Sequence, residues 1–179
     1  MVLSKLRPWW NPFSVKIFGP LGRIVTPNQL TVLNFLFGVL AGYLIYINQY
    51  AWAALCVFLS IAFDGMDGAV SRASGKKMGS GFGAVLDAVF DRLGEGFIFW
   101  GLVYKDLLAL PALMFCYAVS HIGIKEPRAG KGFLERGERM FLITIFLLLK
   151  QIHWGLIVLI GLSILTIFQR LYSAKKVKE

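Results

Sequence analysis

Six apolar runs separated by short polar stretches make up most of the 179-residue chain. They cover residues 29–47, 51–63, 82–104, 107–124, 140–149 and 154–168. Hydrophobic residues account for 57% of the sequence and charged residues for only 16%, which lies outside the usual balance of a soluble domain. The chain is therefore predicted to be an all-α integral membrane protein, with six transmembrane helices in one domain covering residues 1–179.

Several of these runs are shorter than the roughly 20 residues that a helix needs to cross the hydrocarbon of a bilayer. The second run spans only if its helix continues through Asp64 and Asp67 to about Ala73. The fifth spans only if its helix begins near Glu135, and the third contains two further aspartates. The acidic residues are thus predicted to lie inside spanning helices, near one membrane face.

The basic residues predict which way the helices run. Six spans place both termini on one side, and sixteen of the nineteen lysines and arginines fall on that side. Only Lys105 and Lys150 fall opposite, while Arg92 lies within a helix. Because cytoplasmic loops are enriched in lysine and arginine, we expect a multi-pass protein of the cell membrane with both termini and the aspartate face in the cytoplasm.

The net charge of +9 belongs mainly to this predicted cytoplasmic face. There it would meet anionic lipid headgroups or phosphorylated substrates. Nucleic acid is a poor partner, because the basic residues are divided among loops at a membrane surface.

Residues 1–25 differ from the apolar runs that follow them. Apolar side chains, including Trp9 and Trp10, alternate there with Lys5, Arg7 and Lys16. Such a mixture is typical of an amphipathic helix that lies in the membrane interface. The segment is therefore predicted to be an interfacial helix preceding the first span.

Four aspartates fall on two helix faces. On a helix, residues three or four apart share a face, and both groups follow such intervals. The first group contains Asp64, Asp67, Gly68 and Ser71, and the second contains Gly83, Asp87, Asp91 and Gly94. Two such faces on consecutive antiparallel helices can lie opposite each other.

Unpaired carboxylates in a spanning helix are costly, about 2.5–3.5 kcal/mol each on insertion scales, and four would also repel one another. A cation is therefore expected between them, and carboxylate oxygens suit Mg²⁺, Mn²⁺ or Ca²⁺. The structural alternative is ion pairing with Arg72 and Arg92. The glycines on these faces allow either close helix packing or the approach of a bulky substrate.

The order and spacing of these residues resemble a family signature. Residues 64–72 read D-x-x-D-G-x-x-S-R and residues 83–91 read G-x-x-x-D-x-x-x-D. This closely resembles the D-x-x-D-G-x-x-A-R and G-x-x-x-D-x-x-x-D signature of the CDP-alcohol phosphotransferases. Residues 27–31 resemble the family's P-N-x-x-T. The chain departs from the family at Ser71, usually alanine, and between Arg72 and Gly83, where ten residues replace the usual eight.

The resemblance implies a six-helix membrane enzyme, usually a homodimer, which displaces CMP from a CDP-linked alcohol at a cytoplasmic active site. It implies two divalent cations, Mg²⁺ or Mn²⁺, and a general base, Asp91. The implied metal ligands are Asp64, Asp67, Asp87 and Asp91. The implied contacts to the CDP-alcohol are Asn28, Thr31, Gly68, Arg72, Ser80 and Gly83.

The acceptor alcohol is predicted from residues 120–143, which hold five basic and three acidic side chains next to the predicted active face. Guanidinium groups suit phosphate. The segment, with the Q-R pair at 169–170, looks like the phosphatidylinositol phosphate and archaetidylinositol phosphate synthase branch. The resemblance implies that inositol 1-phosphate is held by Lys125, Arg136 and Arg170, and Arg139 is a further candidate. Alternatively, Glu135 and Glu138 neutralise the two arginines of the fifth helix.

The donor is then CDP-diacylglycerol or CDP-archaeol, between which the apolar sequence does not discriminate. Two variants of the same chemistry stay open, one with glycerol 3-phosphate as acceptor and one with CDP-inositol as donor. A cation or anion transporter is the alternative outside enzymes. It is disfavoured because no pair of interrupted helices appears in the two halves of the sequence.

Overall fold

The computed structural model describes residue 16 and residues 25–73, 81–125 and 132–178. Within these residues the chain forms six α-helices. They are α1 (Pro27–Tyr46), α2 (Tyr50–Ala73), α3 (Phe82–Val103), α4 (Ala109–Lys125), α5 (Arg136–Leu148) and α6 (Ile152–Lys178). Apart from residues 16 and 25, the predicted interfacial segment 1–25 lies outside the described residues, and the single-domain assignment stays a prediction.

The two helix extensions expected from the short apolar runs are present. Helix α2 continues past its aspartates to Ala73, and α5 begins at Arg136. Glu135 caps α5 in a capping box with Glu138, and Thr26 caps α1 in the same way with Gln29.

Helix α6 continues ten residues beyond its apolar run, to Lys178. No glycine or proline follows residue 161. The basic tail contains several good helix formers, so nothing in its sequence ends the helix.

Three helices of the described chain are long and apolar enough to cross a membrane, namely α1, residues Tyr50–Ser71 of α2, and residues Ile152–Lys175 of α6. Helix α4 has 17 residues and α5 has 13, and α3 carries Asp87, Asp91, Arg92 and Glu95. The length and composition of the described helices are those of a membrane protein. The six-span layout and its orientation stay predictions.

Helix α1 lies at the centre of the aspartate-bearing half of the bundle, packed against both α2 and α3. Helix α2 also packs on α5, and α4 packs on α6. The apolar core includes Ile45, Val57, Phe99, Leu147 and Leu159. This arrangement brings residues of α1, α2, α3 and α5 to one site.

Glycines allow α1 and α3 to approach closely. A Cβ on Gly38 would lie 2.9 Å from Cα of Gly94, and one on Gly42 would overlap the carbonyl group of Phe97. A Cβ on Gly101 would overlap Gly42 in turn. The sequence left two roles open for the glycines, close helix packing and the approach of a bulky substrate. For Gly94 the contacts show helix packing.

The connections at the other end of the bundle are held by polar contacts. His153 Nδ1 lies 2.5 Å from Asp106 Oδ2, and Lys105 donates to the carbonyl oxygen of Tyr46 at 2.8 Å. The hydrogen bond from the Leu108 backbone N–H, together with His153, lowers the pKa of Asp106. These groups lie roughly 20 Å along α3 from Asp91, so they are remote from the aspartates.

Candidate active site

Three of the four aspartates converge between α2 and α3. Asp64, Asp67 and Asp87 each offer a carboxylate oxygen, and these oxygens all lie within 4.8 Å of one another. Asp91 follows Asp87 by one helical turn and joins the group through Arg136, whose Nη1 lies 2.7 Å from Asp91 Oδ1 and 3.1 Å from Asp64 Oδ1. The two acidic faces therefore lie opposite each other, as their spacing predicts.

The carboxylates fit a divalent cation. Oδ1 of Asp87 is buried and has no hydrogen-bond partner among the described residues. Buried polar atoms in proteins are almost always paired, so an unpaired carboxylate oxygen beside two other acids indicates a place for a cation. Oxygen donors of this kind are the ligands of Mg²⁺ and Mn²⁺.

Helix α1 supplies hydrogen bonds to the carboxylates of both neighbouring helices. The hydroxyl group of Thr31 donates to Asp67 Oδ2 at 2.9 Å, and Asn34 Nδ2 donates to Asp91 Oδ1 at 2.9 Å. Ser60 of α2 donates to Asn34 Oδ1. Thr31 was expected near the site, whereas Asn34 and Ser60 were missed. Asn34 lies three residues after Thr31 in an apolar run, and that spacing is the signal that places both on one face.

Two of the predicted CDP-alcohol contacts are neighbours at the edge of the site. Asn28 is exposed, and a Cβ on Gly83 would lie 2.9 Å from its Oδ1. Gly68 is half-buried beside Asp67 on α2. The backbone of Arg72 belongs to α2, but its side chain lies outside the description, as does Ser80.

Among the side chains that the structure describes, Arg136 is the cation closest to Asp91. Arg92, which sequence reasoning offered as a partner, lies 4.0 Å from Asp91 Oδ2 through its Nη1. The Nε atom of Arg136 is buried and has no hydrogen-bond partner among the described residues. The Nε–H group of Arg136 therefore donates to no group of the described residues.

Arg139 does not fit the acceptor-phosphate role predicted for it. Its side chain is only 1% exposed and binds Glu95 through two hydrogen bonds, from Nε to Oε1 at 3.0 Å and from Nη2 to Oε2 at 3.1 Å. Nη2 also donates to Ser120 at 3.1 Å. Depth along the helices explains the difference, because Arg139 lies about one turn beyond Arg136 on α5 and meets Glu95, which lies about one turn beyond Asp91 on α3. Sequence reasoning missed Glu95.

Arg170 of α6 is buried against α4 and the segment that precedes α5. It donates to the carbonyl oxygen of Val119 at 2.6 Å and to Glu135 Oε1 at 2.8 Å. A Cβ on Gly123 or on Gly132 would overlap or crowd its guanidinium, so the arginine is enclosed by both glycines. Its Nε has no partner among the described residues. Glu135 thus pairs with Arg170, and Arg139 pairs with Glu95, in place of the pairing between neighbours on α5.

The side chain of Lys125 lies outside the description, although its backbone ends α4. Of the predicted acceptor contacts, only Arg136 and Arg170 therefore have described side chains that are not bound to Glu95. Both have a buried Nε without a partner among the described residues.

Comparison with known proteins decides the family. Residues 24–129 match the sequence model of the CDP-alcohol phosphatidyltransferases. The chain belongs to the CDP-alcohol phosphatidyltransferase family. This membership agrees with the aspartate signature and establishes a phosphatidyltransferase enzyme, so the transporter alternative is set aside.

Relatives of this phosphatidyltransferase include two inositol phosphate lipid synthases. The archaetidylinositol phosphate synthase of Pyrococcus horikoshii is 35% identical, over 98% of this chain and 97% of the relative. The phosphatidylinositol phosphate synthase of Corynebacterium glutamicum is 36% identical, over 85% of this chain and 78% of the relative. The branch predicted from residues 120–143 and 169–170 is thus confirmed.

Solved structures resemble the phosphatidyltransferase over most of its length. The Mycobacterium tuberculosis phosphatidylinositol phosphate synthase with CDP-DAG bound has a TM-score of 0.76 and 27% identity, over 90% of this chain and 92% of that one. The same enzyme in complex with manganese and citrate has a TM-score of 0.77 and 26% identity, over 88% of each chain. The manganese complex and the acidic cluster together support dependence on a divalent metal.

Proposed function

We propose that this phosphatidyltransferase transfers the phosphatidyl or archaetidyl group of CDP-diacylglycerol or CDP-archaeol to a hydroxyl group of inositol 1-phosphate and releases CMP. The observation that carries the proposal is the contact between Arg136 and Asp91, 2.7 Å from Nη1 to Oδ1, beside the acidic cluster. The contact supports the proposal because Arg136, the proposed phosphate ligand, then lies next to Asp91, the proposed proton acceptor. The names of the relatives support the same acceptor.

The aspartate cluster accounts for the donor side of the reaction. Two divalent cations, Mg²⁺ or Mn²⁺, are proposed to be held by Asp64, Asp67, Asp87 and Asp91. When bound, they supply positive charge to the pyrophosphate and to the leaving oxygen of CMP. Asn28 and Gly83 lie at the edge of this cluster, and Thr31 orients Asp67. We propose that these residues, with Gly68, Arg72 and Ser80, contact the CDP-alcohol.

Asp91 is proposed as the general base. Asn34 and Arg136 both contact its Oδ1, which orients the carboxylate, while Oδ2 lies 4.0 Å from Arg92 Nη1. Oδ2 is therefore the oxygen proposed to accept the proton of the acceptor hydroxyl. The hydroxyl oxygen then forms a bond to the lipid-side phosphorus, and the bond from that phosphorus to the oxygen of CMP breaks.

The acceptor phosphate is proposed to bind Arg136 and Arg170, with Lys125. The two arginines each carry a buried Nε without a partner among the described residues, and a guanidinium binds phosphate through several parallel donors. Arg139 is left out of this set, because Glu95 and Ser120 engage its donors.

The orientation and assembly are proposed as they follow from the sequence. The excess of lysine and arginine on the side of the termini supports a cytoplasmic active site and cytoplasmic termini in a multi-pass arrangement. A single domain over residues 1–179 and a homodimer are proposed by family resemblance.

Acceptor assays test the proposal. Purified enzyme in detergent is incubated with a CDP-lipid, Mg²⁺ and one radiolabelled acceptor at a time, and both CMP and labelled lipid are measured. We expect labelled lipid with inositol 1-phosphate. Incorporation of glycerol 3-phosphate but not of inositol 1-phosphate would overturn the acceptor. CMP release from CDP-inositol, without release from either CDP-lipid, would overturn the donor.

A further inference from the structure

A second ion pair lies directly beneath the contact between Arg136 and Asp91. Glu95 follows Asp91 by four residues on α3, and Arg139 follows Arg136 by three residues on α5. Asp91 and Arg136 form one rung between the two helices, and Glu95 and Arg139 form the next. The outer rung contains the proposed base and phosphate ligand, whereas both side chains of the inner rung are only 1% exposed.

The inner rung connects three helices at one point. The two parallel hydrogen bonds from Arg139 to Glu95 join α5 to α3, and the bond to Ser120 joins α5 to α4. Helices α3 and α5 pack mainly against other helices, α3 on α1 and α5 on α2. The pair therefore supplies a specific link where backbone packing supplies little.

A buried pair of this kind is better suited to fixing a register than to adding stability. Taking both charges out of water offsets much of their attraction, and fixing a register is the best attested use of buried polar groups. The planar fork of an arginine, bound at two points by one carboxylate, also restricts rotation and sliding of α5 relative to α3.

We propose that Glu95 and Arg139 are positioning residues, which set the register of α5 against α3 so that Arg136 reaches Asp91 and Asp64. This inference rests on the proposed function, because it assigns the binding of the acceptor phosphate to Arg136. Neither residue touches substrate. Loss of the pair shifts Arg136 away from the acidic cluster, while Asn28, Thr31 and the cluster itself stay in place on α1, α2 and α3.

Steady-state kinetics of Glu95→Gln and Arg139→Lys test the inference. The first variant removes a charge, and the second keeps the charge but loses the fork. We expect the acceptor KM to rise about tenfold or more in Glu95→Gln and less in Arg139→Lys, while the KM for CDP-lipid changes less than about twofold, since tenfold corresponds to one lost interaction of ordinary size. Equal increases in both constants, or no increase in either, would overturn the positioning role.

Leu159→Ala is the control for stability alone. Leu159 of α6 is buried in the apolar core and lines a cavity with Leu102 and Ile143, which follow Glu95 by about two helical turns and Arg139 by about one. Its truncation should lower the melting temperature without changing either KM. A rise in acceptor KM in this variant as large as that in Glu95→Gln would show that general loosening is enough, and the inference would be wrong.

A distance measurement separates this inference from the proposed function. Spin labels are attached at Val89→Cys on α3 and Phe141→Cys on α5, two exposed positions, in a chain with both native cysteines replaced. Pulsed electron resonance should give a narrow distance distribution, shifted or broadened by Glu95→Gln but not by Leu159→Ala. If no phosphorylated acceptor is incorporated into lipid, the proposed function is wrong, but the register role is not affected. An unchanged distribution in Glu95→Gln would overturn the register role.

Discussion

Asn34 of α1 donates a hydrogen bond from Nδ2 to Oδ1 of Asp91 on α3 at 2.9 Å. Ser60 of α2 donates to the other end of the same amide, at Asn34 Oδ1. The carboxylate proposed as the base is therefore oriented through a relay from α2 and α1 in addition to its contact with Arg136. Both Asn34 and Asp91 are buried, so their orientation is determined by these partners.

Replacing Asp91 with asparagine is expected to stop the reaction while the protein stays folded. The amide keeps the shape of the side chain but does not accept a proton, and positioned bases typically contribute about 10²–10⁴-fold to rate. CMP release with Mg²⁺, CDP-lipid and inositol 1-phosphate measures the effect, and size-exclusion behaviour in detergent reports folding. Near-normal turnover would remove Asp91 from its proposed role.

Replacing Asn34 with leucine should slow the chemical step rather than weaken substrate binding. The variant keeps the approximate volume but leaves Asp91 without its amide donor and Ser60 without its acceptor. We expect kcat to fall about tenfold, the scale of one lost hydrogen bond to a charged group, with the KM for CDP-lipid nearly unchanged. Thr144→Val is the matched control, because Thr144 is buried and its hydroxyl bonds only within α5 to the Met140 carbonyl among the contacts described.

Replacing Asp87 with asparagine should reduce the binding of divalent metal. Asp87 contributes one of three carboxylates whose oxygens lie within 4.8 Å, and an amide is a weaker, uncharged ligand. Binding of Mn²⁺ to the purified protein, followed by electron paramagnetic resonance, should weaken by about tenfold or more. Asp106→Asn at the opposite end of the bundle serves as the control. Unaltered Mn²⁺ affinity in Asp87→Asn would exclude Asp87 as a ligand.

Replacing Arg136 with glutamine should raise the acceptor KM selectively. The proposed phosphate ligand loses its charge and its forked donors, which typically costs a factor of about ten or more. The KM for CDP-lipid should change far less, because those proposed donor contacts that the structure describes lie on α1, α2 and α3. Lys150→Gln, an exposed lysine in the connection between α5 and α6, should leave both constants unaltered. A selective rise in the CDP-lipid KM would place Arg136 on the donor side.

Replacing Gly42 with alanine should destabilise the bundle. The added methyl group overlaps the carbonyl group of Phe97 on α3, and overpacking of this kind typically costs about 1–3 kcal/mol. The melting temperature in detergent measures the effect. Gly161→Ala is the same substitution in α6, at a position where no atom of another described residue, beyond the local helix backbone and the two chain neighbours, lies within 4 Å of the new Cβ. It should be neutral or stabilising, because alanine favours a helix by about 1 kcal/mol over glycine. Equal melting temperatures for the two variants would show that α1 and α3 are not closely packed.

Local spacing was sufficient to predict the aspartate faces and the extents of α2 and α5. A helix repeats every 3.6 residues, so Asp64 and Asp67 share a face wherever the helix lies. The minimum length of a span likewise placed the end of α2 near Ala73 and the start of α5 near Glu135. The same spacing argument places Asn34 with Thr31, although a single amide in an apolar run gives no indication of its partner.

Pairing between helices was not predictable in the same way. Glu135 and Arg139 have the spacing of a favourable pair on one helix, yet Glu135 binds Arg170 and Arg139 binds Glu95. Exposed pairs within a helix are worth only a few tenths of a kcal/mol. A guanidinium that the fold has buried must find a carboxylate nearby, because leaving one buried charge unpaired costs about 3–5 kcal/mol. Tertiary contacts therefore override the local preference.

The sequence by itself determined the helices, the two acidic faces and the family signature, because each depends on residues close together in the chain. Only the tertiary structure decided which cation meets which acid. It placed Arg136 at the cluster, buried Arg139 against Glu95 and enclosed Arg170 between two glycines. The physical reason is that a charge in an apolar bundle is stabilised by the nearest opposite charge in space, and helix packing determines that distance.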